Sequence, residues 1–303
     1  MNLQQIRYVR EIARQDLNLT QAAEVMHTSQ PGVSRQVREF EDELGVDVFV
    51  RQGKRLTALT PAGEAVLAIC ERLLGEVDSL KRVGRDFSDA NRGELVIAAT
   101  HMQARYALPH VIKAFVKKYP DVRLSLRQGT PRELAAMVIG GAADIAVATE
   151  TLDRYPELVT TALYRWHHCV IVPKDHPLAA LKSHEKKLTL AKIAQYPLVT
   201  YDAAFSGRSA LDDTFAAAGL EIDVVLTAID TDVIKTYVRE GLGVGIIAGM
   251  AVDSRDHDLV VFDGAKLFPE RTTKLAYRKN AYLRGFVRDF MQSLAEHLRT
   301  TKT

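Results

Sequence analysis

Cysteine is scarce in this sequence. Cys70 and Cys169 are the only cysteines among 303 residues, and they lie in stretches with different sequence patterns. Neither a disulfide framework nor a set of cysteine metal ligands is therefore predicted. The triplet His167-His168-Cys169 could suggest a metal site, but neighbouring strand residues point to opposite faces of a sheet, so we predict no metal.

Long apolar runs and an excess of charge are missing as well. No segment is long enough to span a bilayer, and no secretory signal pattern opens the sequence, so we expect a cytoplasmic protein without membrane contact. The formal net charge is only +2, which says little about partners. Residues 1–60 contain as many acidic as basic side chains, with the acids gathered at 39–47. Only the placement of the bases can therefore favour nucleic acid.

The most informative pattern lies in residues 18–49, which read as two short helices joined by a tight turn. We predict that the first helix begins at Thr20, whose hydroxyl caps free backbone N–H groups. Thr28 lies in the turn and Ser29 caps the second helix, where Pro31 occupies the first turn without losing a hydrogen bond. A preceding helix with one apolar face is indicated by Leu3, Ile6, Val9 and Ile12.

The second helix of this pair has two distinct faces. Its spacing predicts an inward apolar face formed by Val33, Val37, Phe40 and Leu44. The polar side chains left outside near the helix start are Gln30, Ser34, Arg35 and Arg38. Glutamine suits adenine, arginine suits guanine, and serine suits base edges or phosphate oxygens, so this face favours DNA. The alternative is an ordinary amphipathic helix pair with a solvated polar face.

A short hairpin and a long helix follow. Residues 48–59 read as two strands around a basic, glycine-containing tip, which is typical of a wing that meets phosphates or the minor groove. A solvated charged hairpin is the alternative. The full predicted DNA-binding set is Thr20, Thr28, Gln30, Pro31, Ser34, Arg35, Arg38, Arg51, Lys54 and Arg55.

The long helix begins with the capping pair Thr60-Pro61 and runs to about Phe87. Its spacing indicates the seam of a two-stranded coiled coil formed by Val66, Cys70, Leu73, Val77 and Leu80. Such a stripe could also pack against its own domain, but a dimer would match a two-fold symmetric DNA site. Residues 88–93 read as a hinge.

From Gly93 onward, strands alternate with helices. Strands are predicted at 94–100, 122–128, 144–149, 198–201, 224–229, 244–248 and 273–277. Helices are predicted at 103–119, from 130 onward, and at about 208–218, 232–240 and 281–298. This alternation implies open, largely parallel sheets that bind ligands at the carboxyl ends of their strands.

The predicted fold class is an α+β winged helix-turn-helix followed by an α/β, two-lobed effector domain of the periplasmic-binding-protein type. The DNA-binding domain covers 1–60 and the linker (dimerisation) helix covers 61–87. The effector domain covers 88–303, with lobe I at about 93–163 and 267–303 and lobe II at about 164–266.

Residues suited to a ligand site recur at the predicted strand ends of both lobes. They are Thr100, Met102, Gln103, Gly129, Thr130, Thr149, Thr200 and Asp202. Each one alone is more often an ordinary helix cap, but free N–H groups at helix starts favour anions, and the recurrence predicts a pocket for a small anionic or zwitterionic molecule. Asp202 would suit an amine on the ligand, or a nearby arginine. Trp166 lies where the chain crosses between lobes, and packing is its alternative role.

The order of these segments resembles the LysR-type transcriptional regulators over the whole chain. The stretch 28–37, which reads TSQPGVSRQV, is highly characteristic of that family, together with Leu44-Gly45 and Phe49. Residues 100–109, 196–201 and 232–238 look like the CysB-like branch, which controls cysteine biosynthesis and sulfur assimilation. The resemblance implies a cytoplasmic homotetramer, a dimer of dimers, that binds promoter DNA and contacts RNA polymerase.

The same resemblance implies an acetylated serine as inducer, with sulfate or thiosulfate able to occupy the same cleft, and no cofactor. Thr100, Gln103 and Thr149 match ligand-contacting positions of the branch, and Trp166 matches a position associated with the response to inducer. At two other positions, where the branch usually has threonine, this chain has Met102 and Asp202. A methionine cannot donate a hydrogen bond, and a carboxylate repels sulfate.

Three other functions fit parts of the chain. An enzyme is disfavoured because there is no glycine-rich phosphate loop of the P-loop type and no nucleophile–base set. A solute-binding transport protein fits the lobes but not the N-terminal helices. A thiol-based regulator would depend on Cys70 and Cys169. We therefore predict a DNA-binding regulator rather than an enzyme, and a LysR-type regulator of sulfonate or other metabolism with a different effector is the alternative.

Overall fold

The computed structural model describes residues 1–53, 55–88, 91–183, 187–204 and 206–301. The chain forms two compact units, Met1–Phe87 and Ser88–Thr303. Among the described residues, no helix is both long and apolar enough to cross a membrane.

The first unit has three short helices, a hairpin and a long helix. Its elements are α1 (Leu3–Arg14), α2 (Leu19–Val25), α3 (Gln30–Leu44), β1 (Phe49–Gln52), β2 (Arg55–Leu59) and α4 (Pro61–Ser88). The two strands pair antiparallel, and Gly53 adopts a left-handed φ of +62° at the hairpin turn. The predicted winged helix-turn-helix fold is confirmed.

Side-chain caps set the starts of α2 and α3. Ser29 Oγ accepts the N–H of Gly32 at 3.4 Å, and Pro31 lies in the first turn of α3, as predicted. The predicted start at Thr20 is wrong, because Asn18 Oδ1 accepts the N–H of Thr20 at 3.0 Å. Since asparagine caps a helix at least as well as threonine, α2 begins one residue earlier.

The apolar faces of α1 and α3 pack together, with an exception at one end of each helix. Val33, Val37 and Phe40 are buried, as predicted. The prediction for Leu44 is wrong: its side chain is exposed, because α3 ends there and Gly45 reverses the chain with a φ of +69°. Leu3 is also exposed, because it is the first residue of α1.

The predicted seam of α4 is divided between two environments. Cys70 is buried in the core of its own unit and Val66 packs against that core. Leu73, Leu80 and the neighbouring Ile69 are exposed. The five predicted positions therefore do not form one seam, because the side of α4 that carries Cys70 is already used by the hydrophobic core of the first unit.

The second unit is an α/β structure. Its strands are β3 (Gly93–Ala99), β4 (Val122–Gln128), β5 (Ile145–Thr149), β6 (Leu158–Trp166), β7 (His168–Pro173), β8 (Leu198–Tyr201), β9 (Val224–Ala228), β10 (Val244–Ala248), β11 (Leu259–Asp263) and β12 (Arg271–Arg278). Its helices are α5 (His101–Tyr106), α6 (Pro109–Lys118), α7 (Pro131–Ile139), α8 (Ala179–Ser183), α9 (Leu190–Ile193), α10 (Ser206–Ala217), α11 (Thr231–Arg239) and α12 (Gly285–Thr301).

Two five-stranded sheets define two lobes. The lobe I sheet has the strand order β4-β3-β5-β12-β6, and the lobe II sheet has the order β11-β7-β10-β8-β9. The parallel pairs are β3 with β4 and β5, and β8 with β9 and β10. The antiparallel pairs are β12–β5, β12–β6, β10–β7 and β11–β7. The seven predicted strands are confirmed to within two residues, and β6, β7 and β11 are additional.

The chain passes between the lobes twice. It leaves lobe I at His167, between β6 and β7, and returns between Asp263 and Arg271. The single helix predicted at 103–119 is wrong, because α5 ends at Tyr106 and α6 begins at Pro109. Proline has no N–H to continue a helix, so the chain restarts there with proline in the first turn.

Candidate functional site

The polar side chains of α3 and the wing border a common surface on the first unit. A shallow depression of about 530 Å³ is lined by Gln30, Pro31, Ser34, Arg35, Arg38, Glu39, Asp42, Arg51 and Gly53. The fold therefore brings side chains of α3 and of the wing to one surface.

The acidic residues are not fully separated from this surface. Arg35 Nε donates a hydrogen bond to Glu39 Oε1 at 2.8 Å, one helical turn away, and Asp42 lines the same depression. Two acids of the 39–47 group, Glu39 and Asp42, therefore line the same depression as the bases. Since Arg35 is highly exposed, it can exchange Glu39 for an acceptor on another molecule.

A second depression of about 390 Å³ continues the surface toward α2 and β2. Thr20, Gln30 and Arg55 are among its lining residues, so Gln30 borders both depressions. Thr28 is exposed in the turn before α3 and lines neither. Lys54, which was also predicted to bind DNA, lies outside the described residues.

Arg51 has a structural partner that the sequence did not indicate. Its Nη2 donates to Oε2 of the buried Glu41 at 2.5 Å. Glu41 Oε1 also accepts the N–H groups of Val48 and Phe49 at 2.9 and 3.1 Å. This carboxylate joins α3 to the start of the wing and holds Arg51 beside the depression.

In the second unit, the candidate effector residues lie at strand ends in both lobes. Thr100 follows β3 and caps α5 by position, but its side chain makes no capping hydrogen bond. Its Oγ1 is buried and has no hydrogen-bond partner among the described residues. A buried hydroxyl without a partner costs stability, which is typical of a group reserved for a ligand or a water molecule.

Gln103 organises the same end of lobe I. It is fully buried; its Nε2 donates to Thr273 Oγ1 at 3.1 Å, and its Oε1 accepts from the Tyr164 hydroxyl at 2.6 Å. Burial raises the pKa of Tyr164, so the phenol stays a donor. Met250 Sδ of lobe II lies 3.1 Å from that hydroxyl. Both polar groups of Gln103 are therefore engaged, which makes it a residue that positions its neighbours.

Met102 contacts the opposite lobe. Its Sδ lies 3.8 Å from the hydroxyl of Tyr201, the last residue of β8. That hydroxyl also lies 2.7 Å from Thr231 Oγ1 and accepts the N–H of Ala248 at 3.0 Å. Burial raises the pKa of Tyr201 to about 12, so it remains protonated. The strand ends of β3 and β8 thus meet through a thioether and a phenol.

Several predicted site residues have internal roles. Thr130 forms a capping box with Glu133, whose Oε2 accepts from the Thr130 N–H at 2.7 Å and from its hydroxyl at 2.9 Å. A Cβ at Gly129 would lie 2.9 Å from the same oxygen, so glycine permits this contact. Thr200 donates its hydroxyl proton to Ile246 O at 3.1 Å. These three positions support the fold at the strand ends.

The remaining predicted positions lie at or directly after the ends of strands. Thr149 ends β5 and is buried, with Oγ1 3.5 Å from Thr151 Oγ1. Asp202 Oδ1 accepts the N–H of Ala204 at 2.9 Å, and Asp202 pairs with no cation among the described residues. Trp166 is buried against His168, with ring centroids 5.1 Å apart. Its Nε1 has no acceptor within the described part of the chain.

A polar contact between α5 and the start of α11 was not anticipated from the sequence. Tyr106 donates to Asp232 Oδ1 at 3.1 Å, and Arg105 pairs with the same carboxylate. His101 Nε2 lies 3.2 Å from Asp230 Oδ2. Long-range ion pairs leave no local periodicity in a sequence. The sequence therefore indicated only that a helix begins near Asp232, and not that Asp232 has partners on α5.

The chain matches two family models, one in each unit. Residues 3–64 match the bacterial regulatory helix-turn-helix protein model of the lysR family, and residues 88–299 match the LysR substrate binding domain. Over 299 residues, the chain is 52% identical to the HTH-type transcriptional regulator SsuR of Burkholderia cenocepacia, covering 98% of this chain and 96% of that protein.

Further comparisons agree. The HTH-type transcriptional regulator CysB of the same organism is 50% identical over 98% of this chain and 94% of its own length. Among solved structures, the cofactor-binding domain of the Cbl transcriptional regulator is 43% identical, with a TM-score of 0.63 over 69% of this chain and 92% of that chain.

Proposed function

Since the chain belongs to the LysR family of DNA-binding transcriptional regulators, and is related to SsuR, CysB and Cbl, we propose that it controls genes of sulfur assimilation or cysteine biosynthesis in response to a small sulfur-pathway metabolite. It acts in the cytoplasm on promoter DNA, without a cofactor and without a catalytic step. One observation carries the DNA half of the proposal. Side chains of α3, the proposed recognition helix, share one depression with wing residues; they are Gln30, Ser34, Arg35 and Arg38.

The effector half rests on Thr100 and Asp202. The buried Thr100 hydroxyl, which has no partner among the described residues, supports a hydrogen bond to a polar ligand. Asp202 places a negative charge near the lobe boundary with no cation paired to it in the described structure. An uncompensated carboxylate disfavours a dianion and favours an amine. An acetylserine-like effector with a free ammonium group therefore fits better than sulfate or thiosulfate.

The alternative is a LysR-type regulator of sulfonate or other metabolism with a different effector. Met102 favours this alternative, because its sulfur contacts Tyr201 where a threonine hydroxyl would bind a sulfate-like ligand. The two candidates share the DNA-binding machinery and differ in the molecule that occupies the lobe boundary.

A switch follows from the two-lobed architecture. The effector binds two arrangements of the lobes with different affinity, so its binding favours one arrangement. In an oligomer, this change alters the spacing between pairs of DNA-binding domains, and with it the bending of DNA and the contact with RNA polymerase. Exposed Ile69, Leu73 and Leu80 on α4 support self-association through this helix. The resemblance to the CysB-like branch favours a homotetramer built as a dimer of dimers.

The effector is identified by calorimetry on the full-length chain with O-acetylserine, N-acetylserine, sulfate, thiosulfate and adenosine phosphosulfate. We expect saturable binding, strongest for a compound that carries an ammonium group. A preference for sulfonate compounds, with no binding of this panel, would favour the alternative regulator. No saturable binding of either class would contradict the sensing role.

A further inference from the structure

Three side chains with metal-binding chemistry meet where the chain passes between the lobes. His167 lies at the first crossover, and Asp263 ends β11, just before the chain returns to lobe I. His167 Nε2 lies 2.7 Å from Asp263 Oδ1, and these atoms and Cys169 Sγ all lie within 4.8 Å of one another. We propose that His167, Cys169 and Asp263 bind a divalent transition metal of the zinc type at the two crossovers.

Strand geometry explains why these three side chains converge. His167 directly precedes β7, and its Nε2 lies with Cys169 Sγ on the side that faces Gly249, whereas the His168 ring packs against Trp166. Asp263 is the cross-strand partner of Cys169 in the antiparallel pair β7–β11. Only His168 is directed away from the other two residues of 167–169, and the third ligand comes from β11, a strand that the sequence did not predict.

The donor set matches one class of ion. Imidazole and thiolate select zinc and similar ions over magnesium or calcium, and a carboxylate oxygen is a common third ligand. Around a tetrahedral zinc ion, the ligand nitrogen, oxygen and sulfur atoms lie roughly 3.3 to 3.6 Å apart, so the Cys169 sulfur needs to approach by about 1 Å. The side chain of Asp263 is largely exposed, so a water molecule can complete a tetrahedral site.

Two glycines shape the surroundings of the sulfur. A Cβ at Gly249 would lie 3.1 Å from Cys169 Sγ and 3.9 Å from His167 Nε2, so glycine leaves this side open. The backbone N–H of Gly264 faces the Cys169 sulfur. A Cβ at Gly264 would lie 2.2 Å from His168 O, so only glycine allows the chain to bring that amide to the sulfur.

The test is titration of the untagged full-length protein with Co²⁺, followed by competition with Zn²⁺. We expect one Co²⁺ per chain, with thiolate-to-cobalt charge-transfer absorption that Zn²⁺ displaces. Cys169→Ser should remove that absorption, whereas Cys70→Ser, at the other buried cysteine, should retain it. Asp263→Asn and His167→Gln should weaken Co²⁺ affinity by at least about tenfold, the lower end of losses seen when metal sites lose supporting groups.

Each result decides the proposal. Asp263 is exposed, so Asp263→Asn keeps the fold and remains informative even if Cys169→Ser unfolds. Gly249→Ala should also weaken Co²⁺ binding, because the added methyl group enters the open side. Absence of charge-transfer absorption in the unmodified protein, its persistence in Cys169→Ser, or unchanged affinity in Asp263→Asn would overturn the site. None of these outcomes depends on DNA or effector binding.

Discussion

Glu41 of α3 and Arg51 of the wing form an ion pair, in which Oε2 of the buried Glu41 accepts from Nη2 of the partly exposed Arg51 at 2.5 Å. The same carboxylate binds two backbone N–H groups at the start of β1. The position of the wing is therefore fixed by a side chain from α3. Arg51, which the sequence predicts to contact DNA, therefore also supports the fold of the first unit.

Glu41→Ala should destabilise the first unit by about 3 kcal/mol, because it leaves Arg51 and two buried N–H groups without their acceptor. Urea unfolding followed by circular dichroism measures the loss. The matched control is Glu24→Ala, which removes an exposed glutamate. Equal midpoints for the two variants would contradict the structural role of Glu41.

Arg35→Ala should weaken binding to a specific promoter fragment by about 10- to 100-fold, the cost of losing one arginine contact to a base. The fold should be unchanged, since Arg35 is exposed and loses only a surface pair with Glu39. Fluorescence anisotropy with labelled duplex measures the affinity. Arg14→Ala, an exposed arginine at the end of α1, is the control and should keep full affinity. Retained affinity in Arg35→Ala would remove Arg35 from the DNA face.

The first unit shows what local patterns can predict. Periodicity and capping residues were sufficient for α3, because Val33, Val37 and Phe40 report one buried face and Ser29 reports the start. The start of α2 was misplaced because Asn18 and Thr20 are both good caps, and sequence alone does not choose between them. The division of α4 could not be predicted, since the core claims Cys70 through tertiary packing.

Thr100→Val should abolish the effector response or weaken effector affinity by about 10- to 100-fold, the range for losing a hydrogen bond to a charged group. Thermal stability should be unchanged or higher, because the lost hydroxyl has no partner among the described residues. DNA binding without effector should be unaffected. The control is Thr200→Val, which instead loses a bond to Ile246 O and should lower stability. An unchanged dose response in Thr100→Val would exclude this residue from the effector site.

Asp202→Thr should exchange the preferred class of effector. Loss of the carboxylate should weaken binding of an ammonium-bearing ligand by about tenfold and strengthen binding of sulfate or thiosulfate by a similar factor. Calorimetry on the full-length variants measures both constants. Asp213→Asn removes an exposed carboxylate from α10 and should leave the order of affinities unchanged. If Asp202→Thr and Asp213→Asn behave alike, Asp202 does not select the ligand.

Protonation of Asp256 should make the second unit less stable at acidic pH. Burial alone would raise its pKa, but hydrogen bonds from buried Lys235 at 2.5 Å and from the Asp253 N–H lower the pKa below the usual value. A carboxylate with a lowered pKa in the fold stabilises it above the unfolded pKa of about 3.9, and this contribution is lost as pH falls through the folded value.

Asp256→Asn should therefore lower the free energy of unfolding by about 3 kcal/mol near neutral pH, because it leaves Lys235 buried without a counter-charge. The loss should be much smaller at acidic pH, where Asp256 itself is protonated. Urea unfolding at both pH values measures the difference. Asp258→Asn, which removes a more exposed partner of Arg239, is the control and should cost about 1 kcal/mol or less. The same loss for Asp256→Asn at both pH values would show that its charge is not the cause.

The effector region could be predicted only in outline. Strand ends drew attention to Thr100, Thr149 and Asp202, because parallel strands place their carboxyl ends at one edge. The roles of Gln103 and Met102 depend on Tyr164 and Tyr201, which approach from distant parts of the chain. Contacts over such sequence separations have no periodic signature, so only the three-dimensional structure distinguishes a ligand-facing hydroxyl from one already bonded.

Sulfur-responsive DNA recognition is tested by competition between promoter fragments and random duplex for the full-length protein at moderate ionic strength, with and without sulfur compounds. We predict a preference for fragments upstream of sulfur-assimilation genes and a shift in affinity or footprint when an effector is added. Equal affinity for promoter and random duplex under every condition would contradict it.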